Sequence, residues 1–386
     1  MQFAKIKRNI LEIIYHVGIA FMFSYYWVVF TQVDKKYAPQ DFLKVAAVCF
    51  VIKLVLTRYK LREYIIGLLI LALTYWCYKT SGSYDFFVAA VVALGLKDVD
   101  FRKTLKVILA ITVIASTFVV TWNMLYNMTG LTKVADYGRG VGVEVRYRLG
   151  WGHPNQTHFM WFSILGTFFC IAYRRLQWWV YLVLLVLNYE GFLMTKSKTG
   201  YICTIALIIV FLLLRYGERF FHFIIVRIVA MLTTIACIAF SFYGMYTTDM
   251  NTYMQLNTKL TGRLELARQY IQQFGIHLFG TNVNNTATDM GMIRLLVEYG
   301  PILFVVIYFG VLFAIWQLHK HEKYNVMLLL VGYVVYFTVE AYFQCTFDLK
   351  PILIVYAYYL WSNDFKLEFK RKPKKRKVDK GDEDHG

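Results

Sequence analysis

Apolar runs recur along almost the whole chain instead of alternating with charged faces. Segments apolar on every side belong in lipid or deep inside a large bundle. About twelve of them read as membrane-spanning helices: 11–31, 42–56, 64–76, 86–96, 105–124, 158–172, 178–194, 201–214, 224–243, 301–318, 324–339 and 351–361. Several fall short of the roughly 20 residues that a perpendicular helix needs, so they are expected to extend into flanking polar residues or to kink. The pattern predicts one all-α, polytopic domain over 1–364, with no internal repeat or soluble domain. The tail 365–386, basic and then acidic, reads as a disordered cytoplasmic arm on anionic lipid.

Polar chemistry concentrates in two long connections, 126–157 and 244–294. Within the second, Leu260, Leu264, Ala267, Ile271 and Phe274 recur at helical spacing, with Arg268, Gln269, Gln272 and Gln273 mostly on other faces. This is an amphipathic helix, expected to lie along the outer membrane surface. Thr261 or Gly262 can start it and Gly275 can end it.

Charge fixes an expected orientation. With both termini cytoplasmic, the inner connections hold Lys5, Lys7 and Arg8; Arg58, Lys60 and Arg62; Lys97, Arg102 and Lys103; and Arg174 and Arg175, among others. That bias follows the positive-inside rule, and both long connections then face outward. The same distribution turns the net charge of +18 toward lipid headgroups and away from nucleic acid. Six cysteines lack metal-ligand spacing and read as small hydrophobes. The first apolar run lacks a small-residue cleavage site and reads as a retained helix. Asp98-Val-Asp100 has the form of a cation-holding acidic pair, but beside Lys97 and Arg102 in an inner loop it reads as a solvated turn.

The densest polar stretch is Arg146-Tyr-Arg-Leu-Gly-Trp-Gly-His-Pro-Asn-Gln-Thr-His158. Its glycines allow close approach, and Pro154 can open a helix whose free N–H groups, beside Arg146 and Arg148, favour an anion. The plainer reading has the arginines on lipid headgroups and His153 as a helix cap. Thr195-Lys-Ser-Lys-Thr-Gly200 is a second cationic turn on the same side, and Arg263 adds charge from the amphipathic helix. The acids Glu190, Glu265, Asp289, Glu298 and Glu340 are candidates for taking a proton from a sugar hydroxyl, or for pairing with these arginines.

Four motifs, in order, carry a resemblance: Arg148-Leu-Gly-Trp-Gly-His-Pro-Asn155, Ser197-Lys-Thr-Gly200, Thr261-Gly-Arg-Leu-Glu265, and Leu278-Phe-Gly-Thr-Asn282 with Asp289 and Leu295-Leu-Val-Glu-Tyr-Gly300. Together they resemble the O-antigen ligase and polymerase superfamily, in the branch of capsular and exopolysaccharide polymerases, over roughly 143–301. The resemblance implies a GT-C-like fold and an inverting, metal-independent glycosyltransferase without a cofactor. It implies a multi-pass protein of the bacterial cytoplasmic membrane, surrounded by membrane lipids, joining undecaprenyl-pyrophosphate-linked oligosaccharide repeats outside. A flippase and a chain-length regulator are the implied pathway partners. Carried over by motif, Arg146, Arg148, Lys198 and Arg263 contact the pyrophosphate, since clustered cations can take a metal's place at such a leaving group. His153, Glu265 and Asp289 are the candidates for orienting or deprotonating the acceptor. The ligase branch has a histidine followed by asparagine ahead of the span at 301, where this chain has Asp289-Met290. A ligase of finished glycans and a flippase of lipid-linked oligosaccharide are the alternatives.

Overall fold

The computed structural model describes residues 2–37, 39–136, 142–284, 286, 288–342 and 348–361, so the tail lies outside the described residues. The helices are α1 (Gln2–Val29), α2 (Asp41–Leu56), α3 (Leu61–Ser81), α4 (Asp85–Gly95), α5 (Phe101–Tyr126), α6 (Pro154–Ala172), α7 (Trp178–Thr195) and α8 (Lys198–Tyr216). They continue with α9 (Ile224–Tyr246), α10 (Met250–Lys259), α11 (Arg263–Phe274), α12 (Gly291–Lys320), α13 (Tyr324–Phe337) and α14 (Lys350–Trp361). Each expected span falls on a helix. Among the described residues, however, seven helices are long and apolar enough to cross a membrane, while Asp85–Gly95 and Tyr324–Phe337 are shorter apolar helices. The chain is a polytopic membrane protein by that measure.

Local chemistry sets the boundaries. Asp100 caps α5 by accepting the N–H groups of Arg102 and Lys103, which gives the acidic pair at 98–100 a structural task. Outward faces stay apolar: Trp178, Leu182 and Val186 on α7, and Ile225, Val229 and Leu232 on α9, are exposed. Lipid, not water, is the solvent such faces fit. Basic side chains gather where chain ends meet at the opposite end from the long connections. There Lys53 Nζ donates to Lys97 O (2.7 Å), Arg102 to Ile171 O (3.2 Å) and Arg215 to Leu176 O (3.2 Å), while Lys97 pairs with Glu63 and Arg174 with Glu218.

Three features depart from the sequence expectation. First, the connection after α5 contains a hairpin, β1 (Thr132–Asp136) against β2 (Val143–Tyr147), so the described chain is not purely helical. Its alternation of Val143, Val145 and Tyr147 with polar residues is the missed signal. Second, α11 does start after Gly262 and stop at Gly275, but α10 precedes it. The apolar face of α11, with Leu264, Ala267 and Tyr270, packs on Met245, Met290, Ile293 and Val297 of the bundle rather than spreading on lipid. Third, α14 begins with a fully buried ion pair, Lys350 Nζ to Asp348 at 2.9 Å, that also engages Ser163 of α6 and Tyr333 of α13.

The long helix α12 breaks at Gly300 (φ 85°, ψ 163°), just before Pro301. This break is where the sequence placed the start of a span. The motif around Gly280 packs into the break: a Cβ on Gly280 would stand 2.0 Å from Glu298 O, and one on Gly300 2.4 Å from Leu278 O. The carbonyls exposed there are taken up by Cys77 Sγ, on Tyr299 O, and by Thr80 Oγ1, on Phe279 O. Both glycines also have positive φ, so Gly280→Ala and Gly300→Ala should each cost on the order of 3 kcal/mol. Thermal unfolding in detergent should therefore show a markedly lowered transition for both; transitions within a degree of wild type would contradict this packing.

Candidate active site at the end of the bundle opposite the basic loops

A single line of polar contacts joins distant parts of the chain. Arg146 on β2 is 1% exposed; its Nε donates to Thr195 O at the end of α7 (2.6 Å) and its Nη2 to Asn155 Oδ1 at the start of α6 (2.9 Å). Asn155 Nδ2 passes the line to Glu340 Oε1 beyond α13 (3.0 Å). The same oxygen accepts Arg263 Nη2 from α11 (2.5 Å). Arg263 then reaches Thr199 Oγ1 on α8 (3.2 Å) and Asp289 Oδ2 ahead of α12 (3.3 Å). The ends of six helices and the hairpin are thereby fastened to one another.

The electrostatics of this line are graded. Glu340 is fully enclosed, and burial pushes its carboxyl up to about 7 although Arg263 pulls the other way. Asp289, at the open end, has a side chain 54% exposed. Arg263 thus holds one carboxylate in the interior and presents another to the outside. Such a pair of roles needs a guanidinium, whose fork can bind two carboxylates in fixed directions.

His153 caps α6: its Nδ1 accepts the N–H of Asn155 at 3.2 Å. With Nδ1 accepting, the neutral ring carries its proton on Nε2. Burial, then the nearby charges of Lys133 and Arg146, lowers its pKa to about 4. The His153 ring is therefore neutral at neutral pH. His158, the second histidine of the stretch, is buried between Thr195 and Asn188.

Of the residues singled out by sequence, Arg146, Arg263, Asp289 and His153 come together. Arg148 lies at the foot of the hairpin, donating to Gly130 O (3.2 Å) and Thr129 O (3.0 Å). Lys198 opens α8 and is exposed, one residue from Thr199. Glu265 does not join the line: it is exposed and accepts from Tyr253 and Gln269, and those bonds hold its carboxyl below the usual range. Arg268 is spent on the end of α9, bonding Met245 O and Thr247 O with its guanidinium 3.7 Å over the Tyr253 ring. Glu298 pairs with Arg294 at 2.8 Å on α12.

Arg146 is buried, with Nε on Thr195 O and Nη2 on Asn155 Oδ1. The sequence reading gave Glu340 no rank among five acids. An acid directly after an apolar span was the available signal for Glu340. No protein-family model, curated protein or solved structure matches the chain.

Two outcomes follow. Glu340→Ala leaves Arg263 buried without its inner carboxylate, which should cost about 3–5 kcal/mol and show as a collapsed melting transition; an unchanged transition would refute the pairing. For His153, the unfolded ring titrates near 6.5 and the folded one near 4, so unfolded chains take up the extra proton between those values. Its contribution is complete above about 6.5 and lost as pH falls toward 4. His153→Asn, which keeps a cap acceptor, should flatten that part of the stability–pH curve; parallel curves for the two proteins would contradict a buried neutral ring.

Proposed function

We propose that this protein is a membrane glycosyltransferase that joins undecaprenyl-pyrophosphate-linked oligosaccharide repeats on the outer face of the cytoplasmic membrane, with about twelve membrane-embedded helices in a GT-C-like arrangement and both termini inside. The observation that carries this reading is the half-exposed Asp289 fixed by Arg263, itself locked to buried Glu340, at the end of the bundle opposite the basic loops. A carboxylate held rigidly at an open mouth, beside a neutral histidine donor and several cations, is an acceptor-activating arrangement.

In the proposed reaction an acceptor sugar hydroxyl attacks the anomeric carbon of the lipid-linked donor, and its proton passes to Asp289. The anomeric C–O bond breaks with its electron pair leaving on the diphosphate, which departs still attached to its lipid. Attack opposite the leaving group inverts the anomeric centre. Arg263 positions Asp289, while His153 Nε2–H orients a sugar or phosphate oxygen. A ligase passing a finished glycan to another acceptor would use the same geometry.

One observation favours a different class. Lys350 and Asp348, fully buried with Ser163 and Tyr333, place charge inside the bundle where a flippase would need it. Their mutual pairing also serves simply to seat the start of α14.

With purified protein and lipid-linked repeats in vesicles, Asp289→Asn should slow chain extension by about 100-fold or more while leaving the protein folded. In cells the same variant should leave single repeats on the outer surface. Extension at the wild-type rate would overturn the role of Asp289, and repeats trapped on the inner leaflet would favour the flippase.

A further inference from the structure

A cavity of about 450 Å³ lies between the end of α9, the connection after it, the start of α10 and the flank of α11. Its position follows from the apolar face of α9. That helix exposes Ile225, Val229, Leu232 and Ile235, and its last exposed large side chains are Tyr243 and Tyr246. Tyrosines that close an apolar span mark the level at which hydrocarbon gives way to headgroups. The cavity opens there, with exposed Tyr246 and Met250 among its walls.

Arg268 is the one charged residue lining it. Its Nε donates to Met245 O (2.8 Å) and its Nη2 to Thr247 O (2.9 Å), while the guanidinium carbon stands 3.7 Å from the centre of the Tyr253 ring. These contacts fix the direction of the planar group but leave Nη1 without a hydrogen bond, and Arg268 without an ion pair, among the described residues. The two acids of 247–275 are otherwise engaged: Glu265 accepts from Tyr253 and Gln269, and Asp249 caps α10. The side chains of Gln272 and Thr248, also in the lining, make no hydrogen bond among the described residues. A preset guanidinium with a spare donor, two free neutral polar groups and an apolar wall of Met250 and Ile271 therefore share one cavity at headgroup level. Phosphate oxygens suit the first, hydroxyl groups the second, and glycerol carbons the third. With no acid in the lining, the cation of a choline or ethanolamine headgroup would meet only the like charge of Arg268.

We propose that this cavity binds an anionic glycerophospholipid, with its phosphate on Arg268 and the hydroxyls of a glycerol headgroup on Gln272 and Thr248. Such a lipid touches α9, α10 and α11 together and fastens the last two to the bundle. Because α11 begins at Arg263, it also steadies the arginine that holds Asp289. The lipid affinity itself is independent of the glycosyl-transfer reading.

The test uses the full chain in neutral detergent, titrated with phosphatidylglycerol or phosphatidylcholine of the same acyl chains and read by native mass spectrometry and melting temperature. Wild type should retain phosphatidylglycerol about tenfold more tightly and melt higher with it bound. Gln272→Trp fills the cavity from an exposed position without hydrogen bonds, so it should melt like lipid-free wild type and lose both effects. Gln273→Trp, exposed and outside the lining, should keep both. Arg268→Gln should hold the two lipids equally. Equal retention of the two lipids by wild type would overturn the site. So would the same preference in Gln272→Trp as in Gln273→Trp, which would place the lipid on the basic loops. A folded Arg268→Gln that still prefers phosphatidylglycerol would overturn the assignment of the phosphate. If loss of the bonds to Met245 O and Thr247 O unfolds Arg268→Gln, the two tryptophan variants decide alone.

Discussion

A guanidinium enclosed in a helical bundle must have its charge answered, and the contact between Arg263 and Glu340 is where this structure meets that demand. Both side chains are buried, and their desolvation would cost several kcal/mol for each ion if either were alone. The pair is held together by further donors and acceptors: Asn155 on the same Glu340 oxygen, and Thr199 and Asp289 on Arg263. Each of these comes from a different element. The requirement to satisfy two buried charges therefore dictates that α6, α8, α11 and the segments flanking α12 and α13 end at one point.

That convergence also explains the unequal fates of similar residues. Arg146 and Arg263 are drawn inside, where guanidinium forks make several directed bonds at once. Arg148 stays at the foot of the hairpin, on the carbonyls of Gly130 and Thr129. Asp289 and Glu340 share one arginine but differ in exposure, so one carboxylate is enclosed in the bundle while the other stands half-exposed at its end. The break in α12 serves the same end: packing Gly280 against Gly300 fixes the connection that carries Asp289.

Much of the helical framework was legible in the sequence, because apolar periodicity and loop charge act through single residues and their near neighbours. The amphipathic segment from Leu260 to Phe274, its glycine boundaries, and the apolar run that begins at Pro301 were readable for that reason; that the helix already starts at Gly291 and breaks at Gly300 was not. The docking partner of the amphipathic segment was not, since a face of Leu264 and Ala267 fits lipid and a protein surface equally well. The site was legible as a set of motifs but not as roles. Arg146 and Arg148 look alike in sequence, but the first lies within β2 and turns to Thr195 and Asn155, while the second lies just past the strand's end and bonds the carbonyls of Gly130 and Thr129. Glu340 acquires its meaning from a partner 77 residues before it, a distance at which a one-dimensional pattern carries no information.

The central claim is that the Arg263–Glu340 pair is a scaffold whose purpose is to hold Asp289 in place. A double-mutant cycle with Arg263→Met and Glu340→Met, read by both melting temperature and repeat joining, separates those two roles. The account predicts that each single change sharply lowers the melting point, that the double change recovers much of it by removing both charges, and that the recovered protein joins no repeats. A double variant that extends chains like wild type, or single effects that simply add, would contradict it.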